Sequence, residues 1–365
     1  MQKHIVCAII FALMLTDISL SQQTRYTGTI HSLSREWIFY VPTGLPSSPP
    51  LVFCLQGCCS DYAQWASQSG YNKIADTAKI VVCYPKATNT SGGGQINDRD
   101  WDVTADKDLK FILALIDTAV AKYNIDQTRI YATGFSYGGC FSNYLGCMYP
   151  DKFAAIAPSA GYIMTLQLRE RSCEKTRPVP VLHMHGTKDQ VVSYSSGVTS
   201  VGIWVKLNEC PQTPQVTNNY QGSATVKKEY YGPCKNNTEV IFLSAEGMGH
   251  AWMSQSGVGV SAASESWNFM KKYSLSTTDM ADYSKANTVH TVFPASACCA
   301  NGSILLQGMD DAKTARLVDV KGRVVCSWPL IAGKKSLSIN LLAQGIYFLS
   351  VNLPAGSLML RVSVQ

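Results

Sequence analysis

Residues 130–140, Ile-Tyr-Ala-Thr-Gly-Phe-Ser-Tyr-Gly-Gly-Cys, constrain the fold of this chain more than any other stretch. An apolar, β-prone run (Ile130, Tyr131, Ala132) leads into Gly134-Phe135-Ser136-Tyr137-Gly138, and Gly139, Cys140, Phe141, Tyr144 and Leu145 then follow a helical spacing. A strand that turns this sharply into a helix needs residues without a Cβ on both sides of the turn, so that backbones can approach closely. The serine at the apex then stands exposed on a strained turn, as a nucleophile requires. Gly-x-Ser-x-Gly also arises in ordinary turns, so the assignment depends on partners elsewhere in the chain.

A serine hydroxyl needs a positioned base, and the base needs an acid that fixes its tautomer and stabilises the imidazolium. Two later strand ends supply them. The apolar run 179–184 passes into His185-Gly186-Thr187-Lys188-Asp189, and the run 240–243 passes into Glu246-Gly247-Met248-Gly249-His250-Ala251-Trp252. Asp189 and His250 therefore lie in loops just past strands, where open α/β sheets build their sites. Ser136, Asp189 and His250 are the expected catalytic triad. His183 and His185 are rival bases, but they sit on the strand or beside the acid, where packing or positioning suits them better. For the oxyanion, the expected backbone donors are Tyr137, directly after the nucleophile, and Cys58, after the strand 51–55. Gln56, the Tyr137 ring and Trp252 flank these positions and are the candidate substrate contacts.

The rest of the chain predicts an α/β class with a mostly parallel sheet. Residues 25–41 alternate and suggest one or two antiparallel edge strands, while 51–55, 80–85, 153–157, 179–184 and 240–243 read as buried strands. Helices are expected at 71–78, 106–123 and 262–273. Residues 86–99, with Gly92-Gly93-Gly94, read as a surface loop. Beyond 275 a Ser/Thr/Ala-rich linker (276–300) precedes five short alternating runs, which predict a small all-β sandwich over 301–365.

At the other end, Lys3 and His4 precede an apolar run over 5–15, with Ser19 and Ser21 placed for cleavage, so 1–21 reads as a secretory signal peptide. That run is too short for a transmembrane segment. Thirteen cysteines without paired Cys-x-x-Cys clusters fit an oxidising compartment better than a zinc site. The net charge of +6 is spread along the chain, which argues against a nucleic-acid partner.

The elbow, Gln56-Gly57-Cys58, residues 149–157, His185 to Asp189 and Gly247 to Trp252 together resemble the secreted esterase family that groups feruloyl esterases, acetylxylan esterases and polyhydroxybutyrate depolymerases. The likeness covers residues 35–273 and departs at two points: the family usually has His where Gln56 stands, and often Trp-Pro where Trp252-Met253 stands. It implies an α/β-hydrolase fold in 22–275 and hydrolysis of feruloyl or acetyl esters on plant cell-wall polysaccharide through an acyl-enzyme. A polyester depolymerase is the alternative within the class. The intact Ser, Asp, His order argues against a non-catalytic polysaccharide-binding protein. Serine ester hydrolysis needs no metal or organic cofactor. The resemblance further implies disulfides Cys140–Cys173 and Cys210–Cys234, the latter across an insertion bordering the acyl pocket; Cys58 or Cys59 with Cys83 is another candidate pair. Residues 315–325 and 342–351 resemble the carboxy-terminal sorting domains of the type IX secretion system, which implies a secreted or surface-attached protein and that machinery as a partner.

Overall fold

A computed structural model describes residues 21–58, 60–87, 101–102, 107–163, 173, 177–253 and 257–276, and the segments 296–300, 303–307, 314–319, 323–329, 336–338, 345–353 and 356–364. The expected signal peptide up to residue 20, Cys59, residues 88–99 of the expected glycine-rich loop and residues 277–295 of the expected linker lie outside the described residues. The chain divides into two units, Met1–Tyr283 and Ser284–Gln365.

The first unit is built on a ten-stranded sheet. Its strands are β1 (Gln22–Ile30), β2 (Leu33–Val41), β3 (Leu51–Leu55), β4 (Val81–Pro85), β5 (Ile130–Phe135), β6 (Ala155–Ser159), β7 (Val181–Gly186), β8 (Gln215–Thr217), β9 (Val226–Tyr231) and β10 (Val240–Ala245), in the order β1-β2-β4-β3-β5-β6-β7-β10-β9-β8. From β4 to β10 neighbouring strands run parallel, and antiparallel strands flank them on either side. Six helices belong to this unit among the described residues: α1 (Tyr62–Gln68), α2 (Tyr71–Ala78), α3 (Lys107–Tyr123), α4 (Tyr137–Met148), α5 (Tyr194–Leu207) and α6 (Ala262–Met270).

Alternation along the buried strands divides the core in two. Leu51, Phe53 and Leu55 of β3 pack into one cluster with α3, α4 and α5, while Val52 and Cys54 pack into the other with α1, α2 and α6. A strand covered on both faces reads as a continuous apolar run, which is why β3, β4 and β10 are visible in the sequence. Four elements are not. In α5 the stretch Ser-Ser-Gly-Val-Thr-Ser-Val-Gly is poor in helix formers; its start is held by the Ser193 side chain, which accepts from the Ser196 amide at 3.3 Å. Helix α1 likewise depends on its cap, since Asp61 Oδ1 accepts from the amides of Ala63 and Gln64, each at 2.9 Å. Strands β8 and β9 are polar and follow the sheet edge through backbone pairing.

The second unit contains two antiparallel sheets. One joins β11 (Ser296–Ala300), β12 (Ser303–Gln307) and β15 (Ser336–Ser338); the other orders β14 (Val324–Pro329), β13 (Thr314–Asp319), β16 (Gly345–Leu353) and β17 (Gly356–Val364). The all-β class matches expectation, with Ala315, Leu317, Leu349 and Val351 buried. Strand β11 corrects the linker boundary: Ser-Ala-Cys-Cys-Ala lacks apolar alternation and gains its strand character by pairing with β12.

Two disulfides are present among the described residues, Cys147–Cys173 and Cys210–Cys234. The second matches expectation, and the first replaces the expected Cys140–Cys173 pair. Residues seven apart lie on nearly the same face of a helix, about 10 Å apart along its axis, so Cys140 and Cys147 of α4 cannot be told apart by facing alone. The one nearer the helix end reaches Cys173. Cys140 stays a buried thiol whose sulfur accepts from the Tyr162 amide at 3.3 Å. Cys83 is also a free, buried thiol, so it bridges to neither Cys58 nor Cys59; burial pushes its thiol well above the ordinary range. Disulfide mapping by partial reduction is therefore expected to link Cys173 to Cys147, and Cys147→Ser to lower stability by about 2–4 kcal/mol in denaturant unfolding.

Candidate active site

Strand β5 ends at Phe135, and Ser136 turns the chain with φ 56° and ψ −120° before α4 begins at Tyr137. Such a conformation costs a non-glycine residue about 1–3 kcal/mol and persists only where the surroundings impose it. Here they do. The Ser136 amide donates to the Ser159 carbonyl of β6 at 2.9 Å, and the Ser136 carbonyl accepts from Cys140 at 3.0 Å. A Cβ on Gly134 would lie 2.6 Å from the Gly138 oxygen, and one on Gly138 would lie 2.4 Å from the Leu55 oxygen. Both glycines are thus steric requirements of a turn pressed against the end of β3.

Ser136, Asp189 and His250 meet from three strand ends. His250 Nε2 lies 2.9 Å from Ser136 Oγ, and His250 Nδ1 lies 2.7 Å from Asp189 Oδ2. The other carboxylate oxygen, Oδ1, accepts from the amides of Val191 and Val192, each at 2.9 Å, so the loop's own backbone aims Oδ2 at the imidazole. A neutral His250 with its proton on Nδ1 presents a bare Nε2 to the serine hydroxyl, the arrangement of a general base.

Of the two expected oxyanion donors, Tyr137 is the first residue of α4, where helix amides point outward without intrahelical acceptors. Cys58 follows Gly57, on which a Cβ would lie 3.2 Å from the Ser136 Cβ, so the loop after β3 lies beside the nucleophile. The Tyr137 ring is half-buried against the core. The two other candidate substrate contacts face inward. Gln56 is buried, with Nε2 donating to the Ser60 carbonyl at 3.0 Å, so it ties its own loop together. Trp252 is 0% exposed; its Nε1 donates to the Ser69 carbonyl at 3.0 Å and its ring packs edge-on against Trp65. Its bulk anchors the His250 loop to the layer of α1 and α2. Two residues escaped sequence reasoning because their roles are contacts across the fold. Phe135 packs its ring 4.8 Å from that of His250 and stacks on Trp65. Trp101 stacks on Phe141 of α4 at 4.6 Å and donates to the Gln56 carbonyl at 2.9 Å, joining the loop after β3 to the elbow helix.

Residues 97–227 match a family described as phospholipase/carboxylesterase. The chain is 30% identical over 214 residues to a bifunctional acetylxylan esterase/xylanase of Neocallimastix patriciarum, covering 58% of this chain and 30% of that protein. It is 31% identical over 258 residues to feruloyl esterase B of Piromyces equi, covering 66% and 46%. It is 27% identical over 250 residues to poly(3-hydroxyalkanoate) depolymerase C of Paucimonas lemoignei, covering 60% and 59%. The chain thus spans less than half the length of the first two relatives. The fold is shared with an acetyl xylan esterase from Aspergillus awamori, at TM-score 0.50 and 18% identity over 62% of this chain and 94% of that one. This chain has the α/β-hydrolase fold and is similar over part of its length to carboxylesterases.

Behind Asp189 the chain carries two more histidines, outside the line of Ser136, His250 and Asp189. His183 and His185 are both 0% exposed on β7, with parallel rings 5.5 Å apart. Burial holds both imidazoles below their usual range, His183 far below it. An unfolded chain protonates them below about pH 6.5, whereas the folded chain keeps them neutral. The unfolded state then binds more protons, so stability is lost as pH falls. Urea midpoints taken from about pH 7 down to about pH 5 are expected to decline, at up to about 1.4 kcal/mol per pH unit for each histidine. At the elbow, Gly138→Ala is expected to cost about 3 kcal/mol or more in the same unfolding measurement, because backbone atoms must move to admit the methyl group.

Proposed function

We propose that this protein is a serine carboxylesterase that releases feruloyl or acetyl groups from plant cell-wall polysaccharide. The observation that carries the chemistry is the hydrogen-bonded line from Ser136 Oγ through His250 to Asp189, at 2.9 and 2.7 Å, mounted on a strained elbow. In this mechanism Ser136 Oγ attacks the ester carbonyl while its proton passes to His250 Nε2. The tetrahedral oxyanion is held by the amides of Tyr137 and Cys58. Collapse breaks the acyl–oxygen bond, and the alcohol leaves with the proton from His250. Water then repeats the sequence on the acyl-serine, yielding the free acid and restoring the hydroxyl.

The choice of acyl group and sugar rests on kinship with the acetylxylan and feruloyl esterases, and the depolymerase relative keeps a polyester as the alternative. Export fits the expected leader, the two disulfides and the sorting-like second unit. In that setting the enzyme acts at or beyond the cell surface, on polymer-bound esters.

Ser136→Ala is expected to lower kcat at least about 10⁴-fold while leaving the unfolding transition in place. Retained turnover in that variant would overturn the mechanism. Methyl ferulate, acetylated xylan and hydroxybutyrate oligomers assayed side by side decide the substrate: highest kcat/KM on either of the first two supports the proposal, and preference for the oligomers replaces it with the polyester reading.

A further inference from the structure

We infer that His185 is a positioning residue for the catalytic acid: its Nε2–H, donated to the Val192 carbonyl, also stands 3.3 Å from Asp189 Oδ2, on the side of the carboxylate away from His250. The inference rests on the triad reading above and extends it by a residue on the far side of the carboxylate.

The protonation of this line follows from its acceptors. His185 Nε2 lies 2.9 Å from the Val192 carbonyl oxygen and 3.3 Å from Asp189 Oδ2. Neither oxygen can donate, so a bare nitrogen there would meet two sets of lone pairs, and Nε2 must carry the hydrogen. In a neutral ring Nδ1 is then the acceptor. It lies 3.2 Å from His183 Nε2, which must therefore donate to it. That leaves His183 Nδ1 bare, and it is the nitrogen that has no partner in its buried setting. If His185 carried a positive charge, its Nδ1 would donate to His183 instead and His183 Nδ1–H would be a buried donor without an acceptor. Burial of the pair acts in the same direction, holding both rings neutral.

The line is also built sterically. A Cβ on Gly197 of α5 would lie 2.5 Å from His185 Nδ1, so the ring occupies the space which that glycine leaves open. Besides His183, the titratable groups facing His185 among the described residues are Asp189 and His250 from the two loops and Tyr194 from α5, whose ring lies 6.0 Å away and whose hydroxyl pairs with Ser244 of β10 at 2.7 Å. Asp189 Oδ2 thus has an N–H on two sides, that of His250 at 2.7 Å and, shared with Val192, that of His185 at 3.3 Å. His185 spreads the charge that His250 would otherwise receive undivided, and it fixes the angle from which the carboxylate faces the catalytic ring.

A leucine at 185 removes the donor, whereas a glutamine can reach the same position with an N–H. Without the donor, Oδ2 draws the His250 imidazolium more strongly. His185→Leu is therefore expected to move the acidic limb of the kcat/KM profile up by about one pH unit and to lower kcat about tenfold with KM nearly unchanged. His185→Gln should keep the wild-type limb. Gly197→Ala, which displaces the ring without removing it, should shift the limb in the same direction as the leucine. A wild-type limb in His185→Leu, or a loss that His185→Gln shares in full, overturns the assignment. Ring ¹⁵N shifts of the resting wild-type protein make a second test that needs no turnover. Hydrogen on Nε2 and a bare Nδ1 in His185 support the assignment; hydrogen on Nδ1 overturns it. If the wild-type protein hydrolyses no ester, the proposed function falls by that result, and the ¹⁵N shifts still decide whether Nε2 carries the hydrogen that faces Asp189.

Discussion

The contact on which the site depends is one of backbone against backbone. At the end of β3 the carbonyls of Leu55 and Gln56 lie so near Gly138 that a methyl group there would be 2.4 Å from one and 2.5 Å from the other. This approach holds the amino end of α4 beside the loop after β3. It keeps Ser136 in a conformation that a free chain would leave, because relaxing the serine would mean moving a strand buried on both faces. The strain is maintained by the two core clusters around that strand.

Around this fixed point the partners are held by unlike means. Asp189 is aimed by two amides of its own loop. His250 is carried on a loop whose next large side chain, Trp252, is sunk into the core, and its ring is backed by Phe135, the residue before the nucleophile. The elbow therefore supports both the hydroxyl and the base. On the opposite side Trp101 links Gln56 to Phe141, while the following residue, Asp102, donates its amide to Asp108 at 2.8 Å. Asp108 is in turn buried against Arg35 of β2. The loop next to the nucleophile is thus tied through α3 to the edge of the sheet.

Trp252 illustrates where sequence reasoning fails. A tryptophan two residues from a catalytic-type histidine suits a substrate platform and a core anchor equally well, and the string Gly-His-Ala-Trp contains nothing to choose between them. The choice came from Ser69 and Trp65, which supply a carbonyl and a ring at a distance of more than 180 residues along the chain. Cys140 and Cys147 pose the same problem within one helix, since both face inward and only Cys173's position in space selects between them. His183 and His185 were legible as histidines near the acid, but their order as donor and acceptor depends on the Val192 carbonyl and on the space left by Gly197.

By itself the sequence determined the strand, turn and helix around Ser136, the order Ser, Asp, His, the parallel sheet and the all-β second unit. These follow from local steric needs and from apolar periodicity, which neighbouring residues impose on one another. Only the tertiary structure decided which side chains line the site and which are buried behind it, which cysteines pair, and that a second histidine stands behind Asp189. Those outcomes depend on distances between residues far apart in the chain, and a linear pattern of residue types does not contain such distances until the sheet has brought its strand ends together.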